Sequence, residues 1–510
     1  MQIRTLLMLV VACCAFHHGV FAEENARPNI LVVMVDDMGF SDVGCFGGEI
    51  RTPNLDALAD NGLRFTQFYN TAKCHSSRVC LMTGLYSNQA GQESLAHGVT
   101  IAHVLADAGY FTAMTGKWHL KDQPTDHGFQ RYWGHLSGAT NFFTGDNTFR
   151  LNGEKWGVPK QDFYTTTANA DYAIRFIDEA KQAGRPMLLY MAFNAPHYPL
   201  QCLEEDYRVY EDTYKAGWDA IRKQRQDKQK QLGLFDGQRA TPAPRPDHVK
   251  PWDALSADEK DWESQRMAAY AAMIHRVDID LGRVFDHLKK RGMFDNTLVL
   301  FVSDNGACPF DRTGIRGGRG VEVRPWDPKS YWCYSPGWAH VCNTPFRLYK
   351  QNQHEGGVTS PAIAHWPAGL KAEKGSITHQ PAHLIDIMAT AIELAGARYP
   401  EEDDIEPLQG RSLVPILEGK TREPHDALYF RFGNNRAVRV GDMKLVSFRG
   451  SPWELYDLSA DRTELNDLAN DRPEMVEQLS ERWMRWAEHV NDLPAGQRQP
   501  VKDTRQKANF

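Results

Sequence analysis

The chain has 510 residues, 42% of them apolar and 24% charged, ordinary globular proportions with length enough for a large domain and a smaller one. The formal net charge of −7 excludes the basic face that nucleic-acid backbones demand, so no nucleic acid is expected as a partner.

Residues 1–22 read as an export signal. Arg4 precedes an apolar run from Thr5 to Phe16, and Val20-Phe21-Ala22 stands before Glu23-Glu24, which places cleavage after Ala22. The run is too short for a membrane span, and His17 and His18 follow it. Lipidation at Cys13 is a minor alternative. The expected location is the periplasm or the medium. Of nine cysteines, cleavage leaves seven, an odd number in an oxidising compartment, so one thiol needs its own explanation. Cys333 and Cys342 are a candidate pair, and seven buried thiols are the alternative.

From Asn29 to about Ala397, β-branched runs alternate with helical patterns, the signature of βαβ units around a mostly parallel sheet. The expected fold is α/β, with a large domain over 23–400 carrying insertions at about 204–263 and 311–349. A linker over 401–424 leads to a small α+β domain with an antiparallel sheet over 425–492, and a tail over 493–510 is expected to be mobile. Four runs end in polar residues: Ile30 to Val35 before Asp36-Asp37, Phe111 to Thr115 before Gly116-Lys117-Trp118-His119, Met187 to Phe193 before Asn194-Ala195-Pro196-His197, and Leu298 to Val302 before Ser303-Asp304-Asn305-Gly306. Ligands of open α/β sheets bind beyond the carboxyl ends of strands, so these tips are expected to converge.

Within the first insertion the charged run from Arg222 to Gln231 reads as a solvated helix face. In the second, Trp326, Tyr331, Trp332, Tyr334, Trp338 and Phe346 serve either to stack on a sugar or aryl ring or to pack the loop internally. Further on, Ala427 to Phe432, Arg436 to Val440 and Lys444 to Phe448 read as strands, followed by a helix from about Pro473 to Val490.

Asp36, Asp37, Asp304 and the carbonyl of Asn305 offer hard oxygen donors at two strand ends, which suits Ca2+ and, less well, Mg2+. Cys74 precedes Ser76-Ser77-Arg78 and a helical run, near a helix N-terminus that favours anions. A thiolate is a poor partner for a hard cation, so an oxygen nucleophile suits this position better.

Taken together, these motifs resemble the type I sulfatases of the alkaline phosphatase superfamily over nearly the whole mature chain. Pro28-Asn29-Ile30 leading to Asp36-Asp37-Met38-Gly39 is similar to that family's first strand and metal pair. Cys74 to Arg78 with Leu81-Met82-Thr83-Gly84 is similar to its maturation signature. Thr115-Gly116-Lys117-Trp118-His119, Asn194-Ala195-Pro196-His197, Ser303-Asp304-Asn305-Gly306 and Lys350 before Glu355-Gly356-Gly357 resemble its remaining motifs. One position departs from the pattern: Ser76 stands where the signature has proline or alanine.

The resemblance implies an alkaline-phosphatase-like fold and hydrolysis of sulfate esters in a sulfated small molecule or glycan. It also implies one Ca2+ held by Asp36, Asp37, Asp304 and Asn305, and oxidation of Cys74 to formylglycine by a maturation enzyme. Hydrated, that residue would place one oxygen on the calcium and attack sulfur. Lys117 and Lys350 would hold sulfate oxygens, His197 would serve the leaving oxygen, Arg78 would orient the diol, and His119 would take the proton that lets the aldehyde return. The alternatives are a phosphonate monoester or phosphodiester hydrolase of the same superfamily, and a non-catalytic sulfoglycan-binding relative with an unmodified Cys74. His103, His127, His135, His275, His354 and His383 are read as structural, with His354 the first to reconsider.

Overall fold

A computed structural model describes residues 27–235, 240–313, 322–402 and 404–490. The expected export signal, Cys13 and the tail from 493 lie outside these residues.

Eleven strands form one sheet: β1 (Asn29–Val35), β2 (Leu63–Tyr69), β3 (Phe111–Lys117), β4 (Arg131–His135), β5 (Phe149–Leu151), β6 (Glu154–Lys155), β7 (Met187–Ala192), β8 (Thr297–Ser303), β9 (Thr359–His365), β10 (Ser376–Thr378) and β11 (Ala382–His383). Their order is β10-β2-β9-β8-β1-β7-β3-β4-β5-β6, with β11 on β2. The centre, β8-β1-β7-β3-β4, is parallel. β9 runs against both β2 and β8.

Every residue of β1, β3, β7 and β8 is buried, because helices cover both faces, and this is why these strands read as nearly unbroken apolar runs. Leu31, Val33 and Val35 pack in one core with Met267, Ile274 and Leu281 of the helix Ala257–Lys290. Ile30, Val32 and Met34, on the opposite face, share a second core with Val79 and Met82 of the helix Cys74–Thr83 and with Ile387 and Met388 of the helix Asp386–Ala395. The long helix Ala257–Lys290 starts at a capping box, in which Ser256 and Glu259 satisfy each other's backbone N–H.

The charged run in the first insertion is not simply solvated. It lies on the helix Gly217–Gln231, whose Arg222, Arg225 and Gln229 are buried. Arg225 pairs with Asp42 at 2.6 Å and with Glu49 at 2.8 Å, and Arg222 donates to the carbonyls of Ala243 and Pro345. One edge of the helix therefore spends its charges on the main body, where each finds a partner. The aromatics of the second insertion divide the same way: Trp332, Tyr334, Trp338 and Phe346 are core residues, while Trp326 is partly exposed on Tyr207 and Tyr331 on Tyr198. All seven described cysteines are buried free thiols, so Cys333 and Cys342 do not form the candidate disulfide.

A second sheet is antiparallel, with β12 (Leu428–Phe432), β13 (Asn435–Val440), β14 (Met443–Ser447) and β15 (Glu454–Asp457) in sequence order. Alternation gives it two apolar faces. Val438, Leu445 and Leu455 pack on Leu479, Trp483 and Ala487 of the helix Pro473–His489. Phe430, Ala437, Val446 and Tyr456 pack on Tyr69, Ala72 and Val358 of the main body. Before this sheet, Leu413, Ile416 and Leu417 are buried in the main core.

Candidate active site

The central strands deliver their polar tips to one place. Asp36 and Asp37 follow β1, and Asp304 and Asn305 follow its parallel neighbour β8. The Asp37 N–H donates to Asp304 Oδ1 at 3.2 Å, and the Asn305 amide donates to Asp37 Oδ1 at 2.6 Å. Lys117 ends β3 and pairs with Asp36 Oδ2, while Lys350 pairs with Asp37 Oδ1. Arg78 lies 3.0 Å from Asp304 Oδ2 and donates to the Lys117 carbonyl at 2.8 Å. All of these side chains are buried.

Two close approaches make the geometry possible. Gly116 has φ +94°, and a Cβ there would lie 2.0 Å from the Ala192 carbonyl oxygen on β7, so only glycine lets β3 press against β7 and aim Lys117 inward. A Cβ at Gly357 would lie 1.9 Å from the Asn352 carbonyl oxygen, so this glycine permits the folded-back loop that presents Lys350.

Three carboxylates so close together need compensation. Burial works against the charge of Asp36, but Lys117, His197, Arg78 and Lys350 outweigh it and hold that carboxyl well below the usual range. Asp37 is lowered in the same way, against burial, chiefly by Lys350. Asp304 is the one left over, pushed up to about 7 by burial and by Asp36. Even so, Asp36 Oδ1, Asp37 Oδ2 and the side-chain carbonyl oxygen of Asn305 are buried with no hydrogen-bond partner among the described residues. The main-chain carbonyl of Asn305 is already taken by Ser303 Oγ at 2.9 Å. Orphaned buried acceptors cost about 1–3 kcal/mol each, and a hard cation among these oxygens removes that cost. The donor set therefore fits a hard divalent cation.

Cys74 opens the helix Cys74–Thr83, which ends at Gly84 with φ +69°, and it is 1% exposed. Ser77 Oγ donates to the Asp304 carbonyl at 2.5 Å, tying this helix to the loop after β8. Ser76 is buried and bonded to Thr71 Oγ1 at 2.7 Å and to the Lys73 carbonyl at 3.1 Å, so the departing serine is satisfied by the turn before the helix. His197 Nε2 lies 3.5 Å from Asp37 Oδ2, and its Nδ1 lies 2.6 Å from the Tyr198 carbonyl. Burial pulls its pKa down to about 4 although Asp37 and Asp36 pull upward. His119 has a left-handed backbone, φ +58°, and an Nδ1 without a partner among the described residues. Burial, Lys117 and Arg78 keep its ring neutral, well below the ordinary histidine value.

Two further histidines lie close to these residues. His75 stands beside His119, with ring centroids 5.9 Å apart. His135, read as structural, pairs in register with Lys117 and is buried, with Nε2 unpartnered among the described residues. A β-strand period of two and the parallel register are the only signals that lead to it. His354 sits instead 3.1 Å from Glu454, at the junction with the second sheet. Glu355 belongs to the same junction: Lys444 reaches it at 2.7 Å, Tyr69 donates to it at 3.0 Å, and Arg462 pairs with it.

Fold and site together define an α/β enzyme with an acidic candidate metal centre beyond the carboxyl ends of a parallel sheet. Residues 28–397 match the family model for Sulfatase, and residues 346–489 match that for the C-terminal region of N-sulphoglucosamine sulphohydrolase. The chain belongs to the sulfatase family and is a sulfuric ester hydrolase. It is 32% identical to a sulfatase of Schizosaccharomyces pombe over 90% of this chain and 93% of that one. It is 30% identical to the arylsulfatase of Klebsiella aerogenes over 79% of this chain and 95% of that one. Among solved structures, Ps i-CgsB in complex with k-i-k-neocarrahexaose superposes with a TM-score of 0.67 at 24% identity, over 92% of this chain and 94% of that one, a likeness of fold. No helix among the described residues is long and apolar enough to cross a membrane.

Proposed function

We propose that this is an exported, calcium-dependent sulfatase that acts on a sulfated carbohydrate or aryl ester, with Cys74 matured to formylglycine and Asp36, Asp37, Asp304 and Asn305 holding the metal. The observation that carries the reading is the trio of orphaned oxygens on Asp36, Asp37 and Asn305. They lie where two parallel strands end, beside a helix N-terminus that begins with Cys74. When bound, calcium supplies positive charge to sulfate oxygens and acidifies a neighbouring hydroxyl. An aldehyde at position 74 supplies, as its hydrate, an oxygen nucleophile in place of a soft thiol.

The chain's own residues do the rest. Each lysine ammonium has three donors, so Lys117 and Lys350 keep Asp36 and Asp37 while turning remaining N–H bonds to the sulfate group. Arg78, anchored on Asp304 and the Lys117 carbonyl, fixes the direction from which the side chain at position 74 approaches. His197 is oriented by the 2.6 Å contact of Nδ1 with the Tyr198 carbonyl, which leaves Nε2 facing Asp37 at 3.5 Å. The ring is thus held in place with Nε2 directed at the site, from which it would serve the leaving oxygen by proton transfer. His119 is neutral and has a free lone pair, the state a proton acceptor needs. Ser76 is accommodated beside position 74 by its bonds to Thr71 and the Lys73 carbonyl. The carbohydrate reading draws on the structural neighbour solved with a neocarrahexaose.

The test is turnover by matured, calcium-loaded protein of matched aryl esters: a sulfate, a phosphodiester and a phosphonate monoester. The reading predicts the highest kcat/KM for the sulfate and its loss on chelation. Preference for a phosphorus ester, or glycan binding without hydrolysis, overturns it.

A further inference from the structure

We propose that the chain with Cys74 as a free thiol carries a metal site of a different class, a Cys-His-His set of Cys74, His75 and His119 that takes a borderline-soft divalent ion such as zinc. One ligand atom from each residue lies within 4.8 Å of the other two. Zinc–sulfur and zinc–nitrogen bonds of about 2.3 and 2.0 Å need these atoms somewhat closer. The two rings meet edge to face and His75 is partly exposed, so a modest side-chain rotation closes the gap. Gly138 packs closely on the His119 ring, where a Cβ would lie 2.5 Å from Nε2.

The chemistry of the donors separates this site from the carboxylate cluster. A thiolate and two imidazoles select zinc-like ions, whereas the all-oxygen set selects calcium or magnesium. The Glu93 carboxylate lies 3.5 Å from His75 Nε2, the usual outer partner of a ligating histidine. Three protein ligands leave a fourth position open to water. Binding exchanges the Cys74 S–H proton for the metal and releases that proton to solvent. No step of the sulfatase reading uses His75, so this residue distinguishes the two sites. The proposal concerns the thiol form and stands whether or not the maturation reading does. Where both hold, the oxidation state of one side chain decides which class of metal the site accepts.

The test uses full-length protein from a host without a maturation enzyme, reduced, stripped of metal and supplied with excess calcium. Cobalt is titrated in, because a thiolate ligand gives a charge-transfer absorption that oxygen and nitrogen ligands do not. The expected result is a band that saturates at one equivalent, is displaced by zinc, and is lost in Cys74→Ser, in His75→Ala and in the bulkier His75→Gln, but retained in His103→Ala. Zinc is also expected to protect Cys74 from alkylation in the parent chain and not in the His75 variants, read by peptide mass. Absence of the band, its survival in Cys74→Ser or the His75 variants, or equal alkylation with and without zinc overturns the proposal.

Discussion

At the scale of single residues, the site is a balance of three buried carboxylates against Lys117, Lys350 and Arg78. Lys117→Ala and Lys350→Ala are each expected to lower kcat on an aryl sulfate by about 10²–10³, the cost of losing one donor to developing charge, with circular dichroism unchanged. A loss confined to KM contradicts the assignment. His197→Ala is expected to slow esters of poor leaving groups more than nitrophenyl esters, since only the former need a proton on departure. Equal slowing removes His197 from that role. Asp36, Asp37, Lys117, His197 and Asp304 were legible because each follows an apolar strand-like run, whereas Arg78 and Lys350 came only from the resemblance to the sulfatase motifs. The nearness of His75 and His135 to them was not legible: one lies in the first turn of a helix, the other is paired with Lys117 through strand register. Neither relation is visible in linear spacing. Ser76, a departure in the sequence, is accounted for only by its partners Thr71 and Lys73.

At the scale of elements, two devices hold the site. The contact of β3 with β7 depends on Gly116, and Gly116→Ala forces a methyl group into the Ala192 carbonyl. Urea unfolding is expected to show a loss of about 3 kcal/mol, with activity falling further than stability because Lys117 moves. The second device is the buried ion cluster of Glu355 with Lys444 and Arg462, five residues beyond Lys350. Removing one member of a buried pair costs about 3–5 kcal/mol, so Glu355→Gln is expected to lower the unfolding free energy by that order. A change below about 1 kcal/mol contradicts a clamp. Sequence reading found the Glu355-Gly356-Gly357 motif but not its partners on the second sheet, because pairing between distant segments leaves no local pattern. It also missed β15, a four-residue strand, and took for solvated a helix whose Arg222 and Arg225 are buried.

At the scale of the whole molecule, the strand tips met as expected because β8, β1, β7 and β3 are consecutive parallel neighbours, and in such sheets the carboxyl ends share one edge. Buried titratable groups then set the acid limit of the assembly. Burial holds His383 down to about 3, against about 6.5 in an unfolded chain. Between these values the unfolded chain binds the extra proton and stability falls as pH falls. Glu355, held well below its usual value against burial by Arg462 and Lys444, contributes stability above an unfolded value of about 4.3 and loses it as pH drops below that. The urea midpoint is therefore expected to decline below about pH 6.5 and more steeply below about pH 4.3; a midpoint constant to pH 4 contradicts this. The central claim rests on position 74, and its most direct test is the mass of the peptide containing Cys74, taken from protein made in a host that matures a control sulfatase. The account predicts an aldehyde or its hydrate at residue 74; an intact thiol there, with the control converted, contradicts it.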